Sequence, residues 1–142
     1  MIWLDAYGLV AMLGREPAAP RIRDLFGSER LSMTTVNLAE AVDVLSRVHD
    51  LRIADTRQDI IRLKQAGMSV VEVTEEVAWR AATLRARHYR RGKQAVSMAD
   101  CVLLAAAAAG DGVATADPGV AEVARLESVR LIALPDRAGR LP

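Results

Sequence analysis

Hydrophobic positions along the chain follow two alternating spacings. Short apolar runs are separated by longer stretches in which apolar residues return every three or four positions. The short runs are typical of buried strands, and the longer stretches are typical of helices with one apolar face. Because strand-like and helix-like segments alternate, the pattern predicts an α/β domain with a mostly parallel sheet.

The same pattern places five strands and seven helices along the chain. The strands are expected at residues 2–5, 31–34, 69–73, 112–115 and 129–134. The helices are expected near residues 6–13, 17–26, 35–49, 53–66, 75–92, 98–109 and 118–126. Residues 1–134 are therefore predicted to form a single domain. Residues 135–142, which begin with a proline, are predicted to form a flexible C-terminal tail.

The composition agrees with one globular domain that has a hydrophobic core. The 142 residues are 51% hydrophobic and 26% charged, which provides enough apolar material for a core. The single cysteine, Cys101, can form no intrachain disulfide. The first residues do not resemble a secretory signal, and no apolar run reaches the roughly 20 residues that a membrane-spanning helix needs. We therefore expect a cytoplasmic protein with no membrane partner.

Four carboxylates stand where predicted helices begin. Asp5 follows the first strand, Glu40 lies in the first turns of the helix after the second strand, and Asp117 follows the fourth strand. Asp100 lies at the start of the helix that leads into the fourth strand. Because the carboxyl ends of parallel strands lie on one side of a sheet, we expect these acids to converge there.

Each acid can also be explained as a helix cap. Helix N-termini favour Asp and Glu because their first N–H groups are unpaired. Asp5 and Asp117 fit the N-cap position, and the segments Asn37–Glu40 and Ser97–Asp100 have the spacing of a capping box. The two explanations are compatible, because a carboxylate can accept an N–H with one oxygen and bind a metal with the other.

Carboxylates grouped without histidine or cysteine ligands suit Mg²⁺ or Mn²⁺. Such an ion can neutralise a phosphoryl group and activate a bound water for attack on phosphorus. The four acids therefore predict phosphodiester hydrolysis. Three side chains beside them are expected to orient the carboxylates or water: Asn37, Ser97 and Thr115. Ordinary capping and turn bonding is the alternative role for these three residues.

The order of these motifs resembles that of a known family. Asp5 after an apolar strand, Asn37–Glu40, Gly92–Cys101 and Thr115–Asp117 look like the ordered motifs of the PIN domain, in particular of the VapC toxins of type II toxin–antitoxin modules. The resemblance implies a flavodoxin-like three-layer α/β/α sandwich and a Mg²⁺- or Mn²⁺-dependent endoribonuclease. It also implies a homodimer and a cognate antitoxin protein that covers the active site.

The resemblance further implies an assignment of the site. Asp5, Glu40, Asp100 and Asp117 would be both the catalytic and the metal-binding residues, with Asp5 and Asp100 first among the direct ligands. The chain departs from the family at Tyr7, where many relatives have a small hydroxyl residue. Because tyrosine is bulkier, we expect a tightened site or altered entry of the substrate.

Basic residues cluster just before the predicted helix that carries Asp100. The segment 85–93 contains five cations and no acid, although the net charge of the whole chain is only +1. We predict a track that binds RNA phosphates and leads to Asp100. Its residues are Arg85, Arg87, Arg90, Arg91 and Lys93, and Arg15 near the first loop is a weaker candidate of the same kind. A solvated helix face with cations near its C-terminus is the alternative.

Two other functions fit the same acids. A receiver-like module, in which an aspartate is phosphorylated, needs a lysine at a later strand end, and residues 132–134 contain none. A PIN-like domain that has lost activity would bind metal, RNA or a protein partner without cleavage. The presence of all four acids counts against this second alternative.

Overall fold

The computed structural model describes residues 1–90 and 96–142 and contains one parallel sheet. In chain order, its strands are β1 (Ile2–Leu4), β2 (Leu31–Thr34), β3 (Ser69–Val71), β4 (Gly112–Thr115) and β5 (Arg130–Ala133). The spatial order is β3-β2-β1-β4-β5, and each neighbouring pair is parallel. The central strand β1 therefore lies between β2 and β4, and the carboxyl ends of these three strands are adjacent.

Seven helices occur in the described parts of the chain. They are α1 (Ala6–Gly14), α2 (Ala19–Ser28), α3 (Thr35–His49), α4 (Ile53–Gln65), α5 (Glu75–His88), α6 (Met98–Ala106) and α7 (Pro118–Leu126). Within residues 1–90 and 96–142, no helix has both the length and the hydropathy needed to cross a membrane.

The sheet has a hydrophobic core on each face. In β1, Ile2 and Leu4 belong to one core and Trp3 belongs to the other, because successive side chains of a strand point to opposite faces. The first core includes Leu45 of α3, and the second includes Leu103 of α6. Helices thus cover both faces of the sheet, which confirms the predicted α/β/α fold class.

The predicted element bounds differ from the structure by at most two residues, except at the C-terminal ends of α5 and α6. The bounds of β2, β4 and α3 agree with the prediction. Helix α6 ends at Ala106, three residues before the predicted end, although alanine favours helix. The carboxylate of Asp111 accepts both the N–H of Ala108 (3.1 Å) and the indole N–H of Trp3 (3.0 Å). These bonds hold the chain after α6 in a turn.

Helix α5 also ends earlier than predicted. Its last residue is His88, and the backbone of Tyr89 is extended. Gly92, after the basic residues, is a usual helix-ending signal and placed the predicted end there. Residues 91–95, which include the predicted end at position 92, lie outside the described part of the chain.

The C-terminal tail makes specific contacts with the domain. The hydroxyl of Tyr7 donates to the carbonyl of Pro135 (3.1 Å), and the guanidinium of Arg137 binds Glu16 (2.9 Å). The N–H of Asp136 also donates to the carbonyl of Arg140 (2.8 Å), which closes a turn within the tail. Residues 135–142 are thus held against the helical layer that contains α1, and their predicted flexibility stays a prediction.

Replacement of Leu103 with alanine tests the second core. Leu103 is completely buried, so we expect Leu103→Ala to lower the free energy of unfolding by about 2–5 kcal/mol. The control is Leu126→Ala on α7, where the leucine is 61% exposed and we expect a change within about 0.5 kcal/mol. Urea unfolding followed by circular dichroism measures both values. Equal losses in the two variants would contradict this assignment of the core.

Candidate active site

Two of the predicted acids cap helices that start from neighbouring strands. Asp5 is the N-cap of α1, and its Oδ1 accepts the N–H of Gly8 at 2.7 Å. Asp117 is the N-cap of α7, and its Oδ1 accepts the N–H groups of Gly119 and Val120 at 2.7 and 3.0 Å. In both residues, the cap engages Oδ1. Because β1 and β4 are adjacent and parallel, the two caps lie at the same edge of the sheet.

Asp100 belongs to a capping box at the start of α6. Its N–H donates to Ser97 Oγ at 3.0 Å, and its Oδ2 accepts the N–H of Ser97 at 2.8 Å. The sequence predicted this capping box, and the structure confirms it. As in the other two caps, one carboxylate oxygen bonds to the backbone.

The side chain of Asn37 joins α3 to the first turn of α6. Asn37 is completely buried, and its Nδ2 donates to the carbonyl of Ala99 at 3.3 Å. Its Oδ1 accepts the hydroxyl of Thr34 at 2.6 Å. This amide therefore ties the residue before Asp100 to the helix that carries Glu40.

The capping box predicted for Asn37–Glu40 is wrong. Helix α3 begins at Thr35, and Thr34 is its N-cap because the Thr34 hydroxyl accepts the N–H of Asn37 at 3.1 Å. Thr34 at the end of β2 can cap the helix itself, so the Asn37 amide is available for the longer contact to α6. Glu40 consequently lies in the second turn of α3, on the exposed surface.

A threonine at the end of β4 interacts with two of the acids. Thr115 is completely buried, and its Oγ1 accepts the N–H of Asp117 at 3.0 Å. The Thr115 side chain also lowers the pKa of the Asp5 carboxyl. Thr115 therefore connects the end of β4 to the cap of α7, and its predicted role in orienting Asp5 stays a prediction.

The acids interact electrostatically at this edge. Burial raises the pKa of Asp5 to about 7 against the hydrogen bonds of Thr115 and Gly8, and the charges of Asp100 and Asp117 raise it further. Burial also raises the pKa of Asp100, with a further contribution from Asp117. Burial and the charge of Asp100 raise the pKa of Glu40. The four predicted acids are thus close enough to repel one another.

The donor chemistry of this edge fits a hard divalent cation. All four acids offer oxygen atoms, and three of them use one oxygen in a helix cap. Among the described residues, no three carboxylate, histidine or cysteine side chains form a ready-made metal-binding group. Mg²⁺ usually keeps several waters and binds through one or two carboxylates, so it does not need a closed protein cage. The residues present therefore fit Mg²⁺ or Mn²⁺.

The predicted basic track does not lie at this edge as a unit. Arg15 follows the C-terminal end of α1, about 14 Å along the helix from the Asp5 cap. Arg87 forms an ion pair with Glu127 (2.8 Å), which follows the far end of α7 from Asp117. Arg90 is exposed and donates to the carbonyl of Tyr89. Arg91 and Lys93 lie outside the described residues.

Arg85 is the basic residue that acts on the acid cluster. Its guanidinium donates to the carbonyl of Val96 and lies 4.3 Å from the centre of the Tyr89 ring. Against the burial that raises the pKa of Asp100, the charge of Arg85 lowers it. In the sequence, Arg85 belongs to the basic segment that is a candidate for binding phosphate. In the structure it contacts Tyr89, four positions further along the chain.

The stability of the metal-free protein should depend on pH through Asp5. Its pKa is about 7 in the fold against 3.8 ordinarily, so the folded state binds the proton more tightly. The charged carboxylate therefore destabilises the fold, increasingly as the pH rises from about 4 to 7. Because one pKa unit corresponds to about 1.4 kcal/mol, we expect Asp5→Asn to raise the free energy of unfolding by a few kcal/mol at pH 8 and by little at pH 4.

Urea unfolding in EDTA at pH 4, 6 and 8 measures this dependence. Asp24→Asn, at an exposed position of α2, is the matched control and should change stability little at every pH. If Asp5→Asn raised the free energy of unfolding by the same amount at pH 4 and pH 8, the destabilisation assigned to the buried charge would be wrong.

Comparisons with known proteins agree with this architecture. A family model described as the PIN domain matches residues 2–126. Among curated proteins, no sequence matches the chain.

Several solved structures share the fold at low sequence identity. DNA-bound VapBC from Salmonella typhimurium has a TM-score of 0.68 and 18% identity, over 92% of this chain and 96% of that chain. VapBC2 from Rickettsia felis, bound to a promoter DNA fragment, has a TM-score of 0.65 and 14% identity, over 93% and 98%. VapC20 from Mycobacterium tuberculosis, a toxin that cleaves the sarcin–ricin loop, has a TM-score of 0.59 and 19% identity, over 91% and 85%.

Proposed function

The chain belongs to the PIN domain family, and we propose that it is a metal-dependent endoribonuclease that acts as the toxin of a toxin–antitoxin module. The observation that carries this proposal is the acidic group at the carboxyl edge of the sheet, in which Asp100 lies close enough to interact with each of the other three acids. Repulsion of this kind is costly unless protons or a cation neutralise it. The acids therefore support a cation-binding role over capping alone.

Burial divides the four acids into two pairs. Asp5 and Asp100 are the more buried pair, and Glu40 and Asp117 are exposed. We assign Asp5 and Asp100 as the first ligands of Mg²⁺ or Mn²⁺, with Glu40 and Asp117 around them. In this assignment, a bound ion would lower the pKa of a water molecule and neutralise charge on the phosphate.

Other side chains of the protein would position the acids and accept a proton during the reaction. Thr115 and the capping N–H groups hold the carboxylates in fixed orientations, so that little reorganisation is needed when a substrate arrives. Asn37 and Ser97 fix the first turn of α6 and thereby the position of Asp100. Because its pKa is raised and its side chain is exposed, Glu40 is suited to accept a proton from the attacking water.

The partners of the similar structures support the assignment to a toxin–antitoxin module. The Salmonella and Rickettsia structures are VapBC complexes bound to DNA, and the Mycobacterium protein is a toxin that cleaves the sarcin–ricin loop. We accordingly propose an RNA substrate, a cognate antitoxin protein and a homodimer for this chain, acting in the cytoplasm.

Replacement of the two buried acids tests the reaction. We expect Asp5→Asn and Asp100→Asn each to reduce Mg²⁺-dependent cleavage of RNA by at least about 100-fold, since each removes a charge that holds the ion. Cleavage is measured with purified protein and labelled RNA, in Mg²⁺ and again in EDTA. Asp24→Asn should cleave at the wild-type rate. Undiminished cleavage by Asp5→Asn or by Asp100→Asn would contradict the assignment. No cleavage by any form, including the wild type, would favour a PIN-like domain that has lost activity.

Metal binding can be measured without reference to activity. Because a cation that binds only the folded state stabilises it, we expect Mg²⁺ or Mn²⁺ to raise the melting temperature of the wild type at pH 8. The shift should shrink or vanish in Asp5→Asn and Asp100→Asn and should persist in Asp24→Asn. An equal shift in all four proteins would show that the ion binds elsewhere.

The biological role has a separate test in living cells. Induction of the chain alone in a bacterium should arrest growth, because cleavage of cellular RNA stops protein synthesis. Induction of Asp5→Asn to the same protein level should leave growth unchanged. Growth arrest by both proteins would show that toxicity does not come from the carboxylate site.

A further inference from the structure

A pocket beside Asp117 is built largely from the C-terminal tail. Its walls are formed by Tyr7, by residues 116–118 and by four tail residues: Asp136, Arg137, Ala138 and Arg140. The cavity has a volume of about 410 Å³, within the roughly 300–1,000 Å³ range of small-molecule sites. The match to the PIN domain ends at residue 126, so the tail wall lies beyond it.

Tyr7 fastens the tail in this position. Its hydroxyl donates to the carbonyl of Pro135 at 3.1 Å. The bulk that distinguishes Tyr7 at this position therefore supports the tail and forms part of the pocket wall.

Each tail arginine is paired with a carboxylate: Arg137 with Glu16, and Arg140 with Asp136, which also lines the pocket. Arg137 Nε donates to Glu16 Oε1 at 2.9 Å, and its Nη2 lies 3.3 Å from Nε2 of His49. Arg140 Nε donates to Asp136 Oδ2 at 3.0 Å. Each guanidinium has five N–H donors, and these contacts use only part of them. The remaining donors are accessible, because the Arg137 and Arg140 side chains are 55% and 80% exposed.

Guanidinium groups are well suited to phosphate. Their planar arrangement of donors matches two phosphate oxygens. The Tyr7 ring adds an aromatic surface of the kind on which unpaired RNA bases stack. Asp117 places one side of the pocket against the acid cluster. Cations, an aromatic ring and a metal-binding edge thus border one cavity.

We propose that this pocket binds one nucleotide of the RNA substrate, next to the phosphodiester that is cleaved. Arg137 and Arg140 bind its phosphate, and the Tyr7 ring packs against its base or ribose. The inference rests on the proposed ribonuclease function. It moves the RNA contact from the helix α5 segment to the tail, and it makes the tail a determinant of substrate affinity rather than of the chemical step.

Steady-state kinetics on a single-stranded RNA of mixed sequence test the pocket. We expect Arg137→Gln and Arg140→Gln each to raise KM about tenfold and to leave kcat within about threefold, because a charge-assisted contact to substrate is lost while the carboxylates remain. Arg125→Gln is the matched control: it removes the same charge from an exposed position at the far end of α7. Its kinetic constants should equal those of the wild type.

Binding measurements in the Asp5→Asn background separate the pocket from catalysis. The affinity for the same RNA, measured against salt concentration, should lose about 0.7 of its logarithmic slope for each arginine removed. Tyr7→Phe, which keeps the ring and both arginines but frees the tail, should weaken binding without changing this slope. A purely structural role for Arg137 would lower stability without altering the slope.

The outcomes distinguish the two proposals. If the wild type cleaves RNA and Asp5→Asn does not, the ribonuclease function stands whatever the tail variants do. If Arg137→Gln and Arg140→Gln then match Arg125→Gln in both KM and salt slope, the nucleotide pocket is overturned. If the tail variants change only kcat, the tail acts on the chemical step and the inference is again wrong.

Discussion

The arrangement of the carboxyl edge of the sheet depends on one buried carboxyl group, that of Asp5, which directly follows the central strand β1. Asp5 is 4% exposed, and burial of a charge without a partner costs free energy. The Gly8 N–H and the Thr115 hydroxyl offset part of this cost, yet the pKa remains near 7. An acid held in this state gains from a nearby cation. The residues around it hold it in place and bring further acids close.

Two buried polar side chains organise that edge across the sheet. Asn37 connects α3 with the first turn of α6, and Thr115 connects the end of β4 with the start of α7. Hydrogen bonds in a buried setting are strong and expensive to leave unmade. They therefore fix the relative positions of helices that the hydrophobic cores alone would leave free to shift. The acids converge because of these bonds as well as because of the parallel sheet.

Basic groups are distributed differently from the acids. In the cluster that precedes α6, Arg85 is engaged by Val96 and Tyr89, and Arg87 is engaged by Glu127. The tail arginines, which are far from the acids in sequence, line a cavity that reaches Asp117. Proximity along the chain was therefore a poor guide to the placement of cations. A long basic side chain can stabilise a helix, form an ion pair or bind a ligand. Which of these it does depends on the residues that surround it in the folded protein.

The sequence by itself determined the elements, the fold class and the identity of the four acids. Apolar spacing gave β2, β4 and α3 their bounds, and Ser97 with Asp100 indicated its capping box, because these signals depend on residues a few positions apart. Only the tertiary structure decided that the Asn37 side chain bonds to Ala99, that Arg87 turns toward Glu127, and that Tyr7 and the tail form a pocket. Those outcomes join residues up to 128 positions apart, and contacts between distant segments depend on packing that no local pattern contains.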